Sequence, residues 1–279
     1  MTGEEEEERL DPRVVEGCRT NVTAPAPRSR PLPGAIKVLA PENGAYAGYY
    51  AIPPSVADYR TFKQKTGATP PIVFTFHDWV NDEYLGDDNP KLNRMSDPFP
   101  DSETGLTPLQ FAEQLADDGA VLALAWAVYC CDPESPFFLL KLKKPWNIFN
   151  RILNGDFDNY IRTVAREIKA FGKPIMLSLT GEFNSQAIFM FGRDGTKWLT
   201  SVDNICNEYG DPTWPDGPER IRDFYRHVID LFREEGVRNV TWFIYASAHF
   251  GSSDPIDDVW AHPQYIYPGD DYIDWVGQS

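Results

Sequence analysis

Between residues 46 and 276, apolar strand-like runs alternate with amphipathic helices, and few folds accommodate that order. The runs are Tyr46–Ile52, Ile72–His77, Val121–Val128, Ile175–Thr180, Val240–Tyr245 and Tyr272–Val276. Ile72–His77 is nearly continuous in apolar residues, the pattern of a strand buried on both faces. A short helix is expected near Ala57–Lys65. Another, Pro108–Asp118, has Thr107 as its cap, Pro108 in its first position and Gly119 as its stop. Phe157, Tyr160, Ile161, Val164, Ala165, Ile168 and Phe171 form one helical stripe, ended by Gly172 and Pro174. A further stripe runs from Ile221 through Phe224, Tyr225, Val228 and Ile229 to Phe232, and Gly236 stops it. Strand–helix alternation of this kind means a parallel sheet with right-handed crossovers. The sheet either stays open and doubly wound or closes into a (β/α)8 barrel. No glycine-rich phosphate loop follows the first strand, which weakens the nucleotide-binding version. The residues able to do chemistry fall just after strands, as a barrel requires. A complete barrel has about eight strands in roughly 250 residues, and the pattern supplies about six β/α units.

The formal net charge of −16 opposes binding to nucleic acid or to anionic membranes. No stretch approaches the roughly 20 apolar residues of a membrane span. The acidic N-terminus shows no secretory signal. Residues 1–40 hold the Glu4–Glu8 run, Ala24-Pro25-Ala26-Pro27 and Pro31-Leu32-Pro33-Gly34, and read as a disordered tail or linker. The folded domain is then 41–279. Cys18, Cys130, Cys131 and Cys206 have no metal-ligand spacing, and no metal or cofactor is expected. Asn21-Val22-Thr23 and Asn239-Val240-Thr241 match the glycosylation sequon, but the second opens a buried strand where a glycan could not fit.

The fourth run ends in Thr180-Gly181-Glu182-Phe183-Asn184, a lone carboxylate flanked by an aromatic ring and an amide. At the end of a parallel strand such an acid is a catalytic candidate. The second strand delivers His77, Asp78 and Trp79. The third carries Trp126 and leads to Asp132; Phe189-Met190-Phe191 follows Glu182; the fifth leads to Ser247 and His249; the sixth carries Trp275. Aromatic faces with carboxylate and amide edges suit a pyranose, whose C–H faces stack while its hydroxyls hydrogen-bond. His77, Asp78, Trp126, Asn184, Phe189 and Trp275 are the candidate sugar contacts. Strand tryptophans are more often core anchors than sugar platforms, and His77-Asp78 as a metal pair lacks a third ligand. His227 lies off its helix's apolar stripe and reads as a solvated surface residue.

Several blocks in order resemble glycoside hydrolase family 26, best known for endo-β-1,4-mannanases. They are Gly119-Ala120-Val121 through Trp126; Lys173-Pro174-Ile175-Met176-Leu177 with Gly181-Glu182-Phe183-Asn184; and the aromatic run closing at Phe191-Gly192. Arg226 to Gly236 with Asn239-Val240-Thr241-Trp242, and Tyr267-Pro268-Gly269-Asp270-Asp271-Tyr272-Ile273-Asp274-Trp275-Val276-Gly277, complete the set. The resemblance covers about residues 44–279. It implies a (β/α)8 TIM barrel that hydrolyses β-linked polysaccharide, mannan foremost, with retention. It also implies extracellular action, and a monomer is the expected state. Glu182 would be the acid/base. The nucleophilic glutamate lies on strand seven in the family, so it is expected beyond Ser279. Three departures concern the sugar pocket: Gly181 stands where the family usually has a histidine, Ala127 where it often has one, and Ser178 replaces a common arginine. They leave the glycan open. A non-catalytic sugar-binding barrel, or an inactive fragment with open sheet edges, is the alternative.

Overall fold

A computed structural model of the chain describes residues 30–80, 91–100, 102, 105–128, 147–182, 209–213, 216–246 and 266–278. Six strands form one parallel sheet in sequence order: β1 (Gly48–Tyr50), β2 (Ile72–Phe76), β3 (Val121–Ala125), β4 (Ile175–Ser178), β5 (Val240–Ala246) and β6 (Trp275–Gln278). The described helices are α1 (Val56–Thr66), α2 (Pro108–Asp117), α3 (Asn147–Leu153), α4 (Asp158–Phe171) and α5 (Asp216–Glu234). Sequential order without reversal is the winding of a barrel, and the doubly wound alternative is excluded.

Register fixes two faces. Phe74 pairs with Ala123, Phe76 with Ala125, Ala125 with Ser178, Leu177 with Trp242 and Phe243 with Trp275. Strand side chains alternate between faces, so Phe74, Phe76, Ala123, Ala125, Phe243 and Tyr245 share the interior. Phe74 of β2 meets Phe243 and Tyr245 of β5 at ring separations of 6.2 and 5.7 Å. In a flat sheet those strands would stand roughly 14 Å apart. The sheet is therefore curled into a partial barrel with an aromatic interior. The opposite row, including Val73, Leu122, Leu124, Leu177 and Ile244, is buried against Phe111, Leu115, Ile161, Val164, Val228 and Phe232 of the helices.

Local chemistry explains the helix ends. Ser55 Oγ accepts from Asp58 N at 3.1 Å to start α1. Thr107 Oγ1 accepts from Gln110 N at 3.2 Å while Gln110 Oε1 accepts from Thr107 N at 3.1 Å, a reciprocal capping box opening α2. Thr107→Ala is expected to cost about 1 kcal/mol, read as a lower urea midpoint with an unchanged slope. Gly172 takes φ 73° to end α4, a conformation that a Cβ would strain.

The structure corrects three expectations and adds one helix. The tail does not run to residue 40: Ile36 N donates to Arg238 O at 2.6 Å and Val38 N to Thr241 Oγ1 at 2.7 Å. Lys37 Nζ reaches Val240 O at 2.6 Å and Asp274 Oδ2 at 2.7 Å, so residues 36–38 line the floor under β5 and β6. The sixth strand begins at Trp275 rather than Tyr272, because Tyr272 and Asp274 N are held by a turn on Gly269 and by Trp242 O. α3 had no readable stripe in its seven residues. His227 is not simply solvated, since its Nε2 lies 2.7 Å from Asp158 Oδ1. The Asn239 amide is buried and donates to Ile168 O and Lys173 O, both at 2.9 Å, which leaves no room for a glycan. The four cysteines and Asn21 lie outside the described residues.

Candidate active site

The C-terminal end of the sheet is built first by β2. Its ladder continues past Phe76: His77 N donates to Ala125 O at 2.9 Å and Trp79 N to Ala127 O at 2.8 Å. Alternation through that ladder puts Asp78 on the interior face with Phe74 and Phe76, and turns His77 and Trp79 outward. Trp79 is fully buried, with ring centroids 5.0 Å from both Trp126 and Tyr160 and 5.9 Å from Phe157.

His77 is equally enclosed. Its Nε2 donates to Arg94 O at 3.0 Å, and its ring meets Phe99 edge-on at 5.4 Å. Burial holds the imidazole down at about 4, so it is neutral around pH 7. It anchors the returning segment instead of facing a ligand. That segment is also tied by Asn93 N to Trp79 O at 2.7 Å and by Asn93 Nδ2 to Asp78 O at 3.0 Å. Glu167 of α4 receives Arg94 Nε at 2.8 Å, Met95 N at 3.0 Å and Ser96 Oγ at 2.9 Å.

His77 Nδ1 is buried without a hydrogen-bond partner, and so is one carboxyl oxygen of Asp78, Oδ1. Desolvation pushes its carboxyl up to about 8.

Trp126 does not serve as a sugar platform. It has no exposed face, packs 5.7 Å from Tyr160 and 6.1 Å from Phe232, and its Nε1 donates to Tyr160 Oη at 3.2 Å. Tyr160 in turn donates to Asn93 O at 2.5 Å. The indole sits in the outward row between sheet and helices, where no ligand reaches. Trp275 is misplaced for another reason. As the first residue of a parallel strand it lies at the N-terminal end of the barrel. There its Nε1 donates to Val38 O at 2.8 Å and its ring stacks on Tyr46 at 6.3 Å. Barrel chemistry belongs to the opposite end.

Glu182 follows β4 at the C-terminal end and is half-buried. The segment leading to it is pinned by hydroxyls. Thr180 Oγ1 and Ser178 Oγ lie 2.7 and 3.3 Å from Tyr225 Oη, and Ser178 Oγ donates to Thr180 O at 2.9 Å. Tyr225 is buried on α5, and burial raises its phenol. Sequence reading missed this role because Tyr225 sits on the apolar stripe and looks like core. Of the expected site residues, Glu182 and Asp78 therefore share the C-terminal end. His77, Trp126 and Trp275 lie elsewhere, and Asn184 and Phe189 fall outside the described residues.

Asp78 follows β2 and Glu182 follows β4, two strands apart in the sheet. Among the described residues, no three His, Cys, Asp or Glu side chains converge on a metal site. No described helix is long and apolar enough to cross a membrane.

No family model matches the chain. Over 170 residues it is 26% identical to Endoglucanase H of Acetivibrio thermocellus, a match covering 60% of this chain and 14% of that protein. In solved structures it is similar to a Bacillus subtilis mannanase, with TM-score 0.48 and 16% identity over 88% of this chain and 64% of the other. It is similar too to the GH26 domain of an endo-β-mannanase/endo-β-glucanase from Prevotella bryantii, with TM-score 0.46 and 15% identity over 83% and 66%. The chain thus spans a small part of its curated relative and less than two thirds of the B. subtilis structure.

Proposed function

We propose that this chain is the acid/base-bearing part of a glycoside hydrolase that cleaves β-linked polysaccharide with retention, β-mannan foremost. The observation that carries the reading is the position of Glu182. It stands at the C-terminal end of β4 in a curled parallel sheet, on a segment held by Ser178, Thr180 and Tyr225. The similarity to an endoglucanase supports the substrate class.

In this mechanism Glu182 protonates the glycosidic oxygen as a second carboxylate attacks the anomeric carbon. The leaving chain departs as an alcohol. Glu182, now ionised, takes a proton from water, whose oxygen displaces the enzyme carboxylate with a second inversion. The family resemblance assigns that carboxylate to a seventh strand.

Incubation with mannan, mixed-linkage β-glucan and xylan tests the reading through reducing ends and proton NMR of the anomer first formed. The expected result is cleavage of at least one polymer with the β-anomer appearing first. Initial release of the α-anomer would refute retention. Binding without cleavage on all three would place the protein with sugar-binding barrels instead.

A further inference from the structure

Asp78 is the one carboxyl among the described residues that faces the barrel interior with a buried oxygen left unsatisfied. Its surroundings explain why. The residue below it on the same row is Phe76, and the ladder places Ala127 beside it on β3. Neither side chain offers a hydrogen bond. Arg94 of the returning segment is engaged with Glu167, and the neutral His77 ring points to the other face of β2. Other titratable groups on surrounding elements are Tyr50 on β1, Tyr245 on β5, Lys91 at the start of the returning segment and Glu182 two strands away. A buried carboxylate with no partner is costly, so such a group takes up a proton.

We propose that Asp78 meets the bound glycan as a protonated carboxyl, donating a hydrogen bond from the interior face of β2 to a sugar oxygen, and that Ala127 keeps it in that state. This deepens the glycosidase reading and rests on it. The raised carboxyl, at about 8, agrees with the geometry. The position of Ala127 gives the idea its specificity. Alanine offers no donor there, whereas an imidazole beside Asp78 would donate to the carboxylate and hold it ionised. With alanine, the same carboxyl becomes a donor, and it can select a sugar hydroxyl that accepts. No covalent step is involved. The proton stays on Asp78 throughout binding.

The test measures affinity for β-1,4-mannohexaose, cellohexaose and xylohexaose in a Glu182→Gln background, which keeps the sugars intact, at pH 6 and pH 9.5. Carbon-13 NMR of the aspartate carboxyls follows Asp78 directly, with Asp78→Asn identifying its signal. The parent should lose about tenfold in affinity for its preferred sugar at the higher pH, as expected when one hydrogen bond is lost. Asp78→Asn keeps a neutral donor of the same shape, so it should bind within about threefold at both pH values. Asp78→Ala should bind about tenfold more weakly at both. Ala127→His should move the carboxyl titration to lower pH.

A parent affinity that is flat with pH would overturn the proposal. So would Asp78→Asn binding no better than Asp78→Ala, or a carboxyl that titrates near 4 in the parent. A parent that binds none of the three sugars at pH 6 refutes the glycosidase reading itself, and the sugar role of Asp78 falls with it.

Discussion

Trp126→Ala is expected to lower folding stability by about 3–5 kcal/mol, the usual cost of truncating a buried tryptophan. The reason lies in what the indole touches. It is fully buried between Trp79, Tyr160 and Phe232, joining β2, β3, α4 and α5 at one point. Its Nε1 is also the first donor in the chain through Tyr160 to Asn93 O. Removing it leaves a cavity and takes one hydrogen bond from a buried phenol. A loss of this size is a large share of the roughly 5–15 kcal/mol that holds a typical domain together. Trp126→Phe keeps most of the volume and should cost clearly less. Urea unfolding followed by far-UV circular dichroism reads both variants. If Trp126→Ala unfolds at the parent midpoint and loses sugar affinity, the residue is a platform after all and its placement in the outward row is wrong.

That same residue shows what the sequence made legible. The alternation of strands and helices was readable because each element carries its own period and its own stop signal. Gly172 ends α4 and Thr107 opens α2 where the residue types require it. The inward or outward sense of a strand residue was not readable. Both faces of these parallel strands are apolar, so Val73 and Phe74 look alike until register assigns one to the helices and the other to the interior. Trp126 and Trp275 were misassigned for that reason, the first by face and the second by barrel end. His77 and Asp78 are both expected sugar contacts, but neighbours on a strand point opposite ways, and only Asp78 shares the interior face. Glu182 was legible because a carboxylate at the end of an apolar strand breaks the local pattern. The supporting Tyr225 was not, since its hydroxyl partners Ser178 and Thr180 lie 45 or more residues away.

The second large effect concerns that carboxylate. Glu182→Ala is expected to reduce hydrolysis of the polymer by about 10²–10⁴-fold, the usual contribution of a positioned acid or base. The loss should depend on the leaving group. A glycan alcohol must be protonated to depart, so its release needs Glu182. A dinitrophenyl glycoside departs as a stable anion, so formation of the glycosyl-enzyme should survive and its breakdown should become limiting. Azide needs no base, and it fits the space the side chain vacates. It should restore turnover of the aryl glycoside and give a β-glycosyl azide, because two inversions return the β configuration. An α-glycosyl azide would identify Glu182 as the nucleophile. Equal loss on both substrates with no azide product, in a variant that melts like the parent, would remove Glu182 from the chemistry. The hydroxyls of Ser178, Thr180 and Tyr225 would then be holding a structural turn.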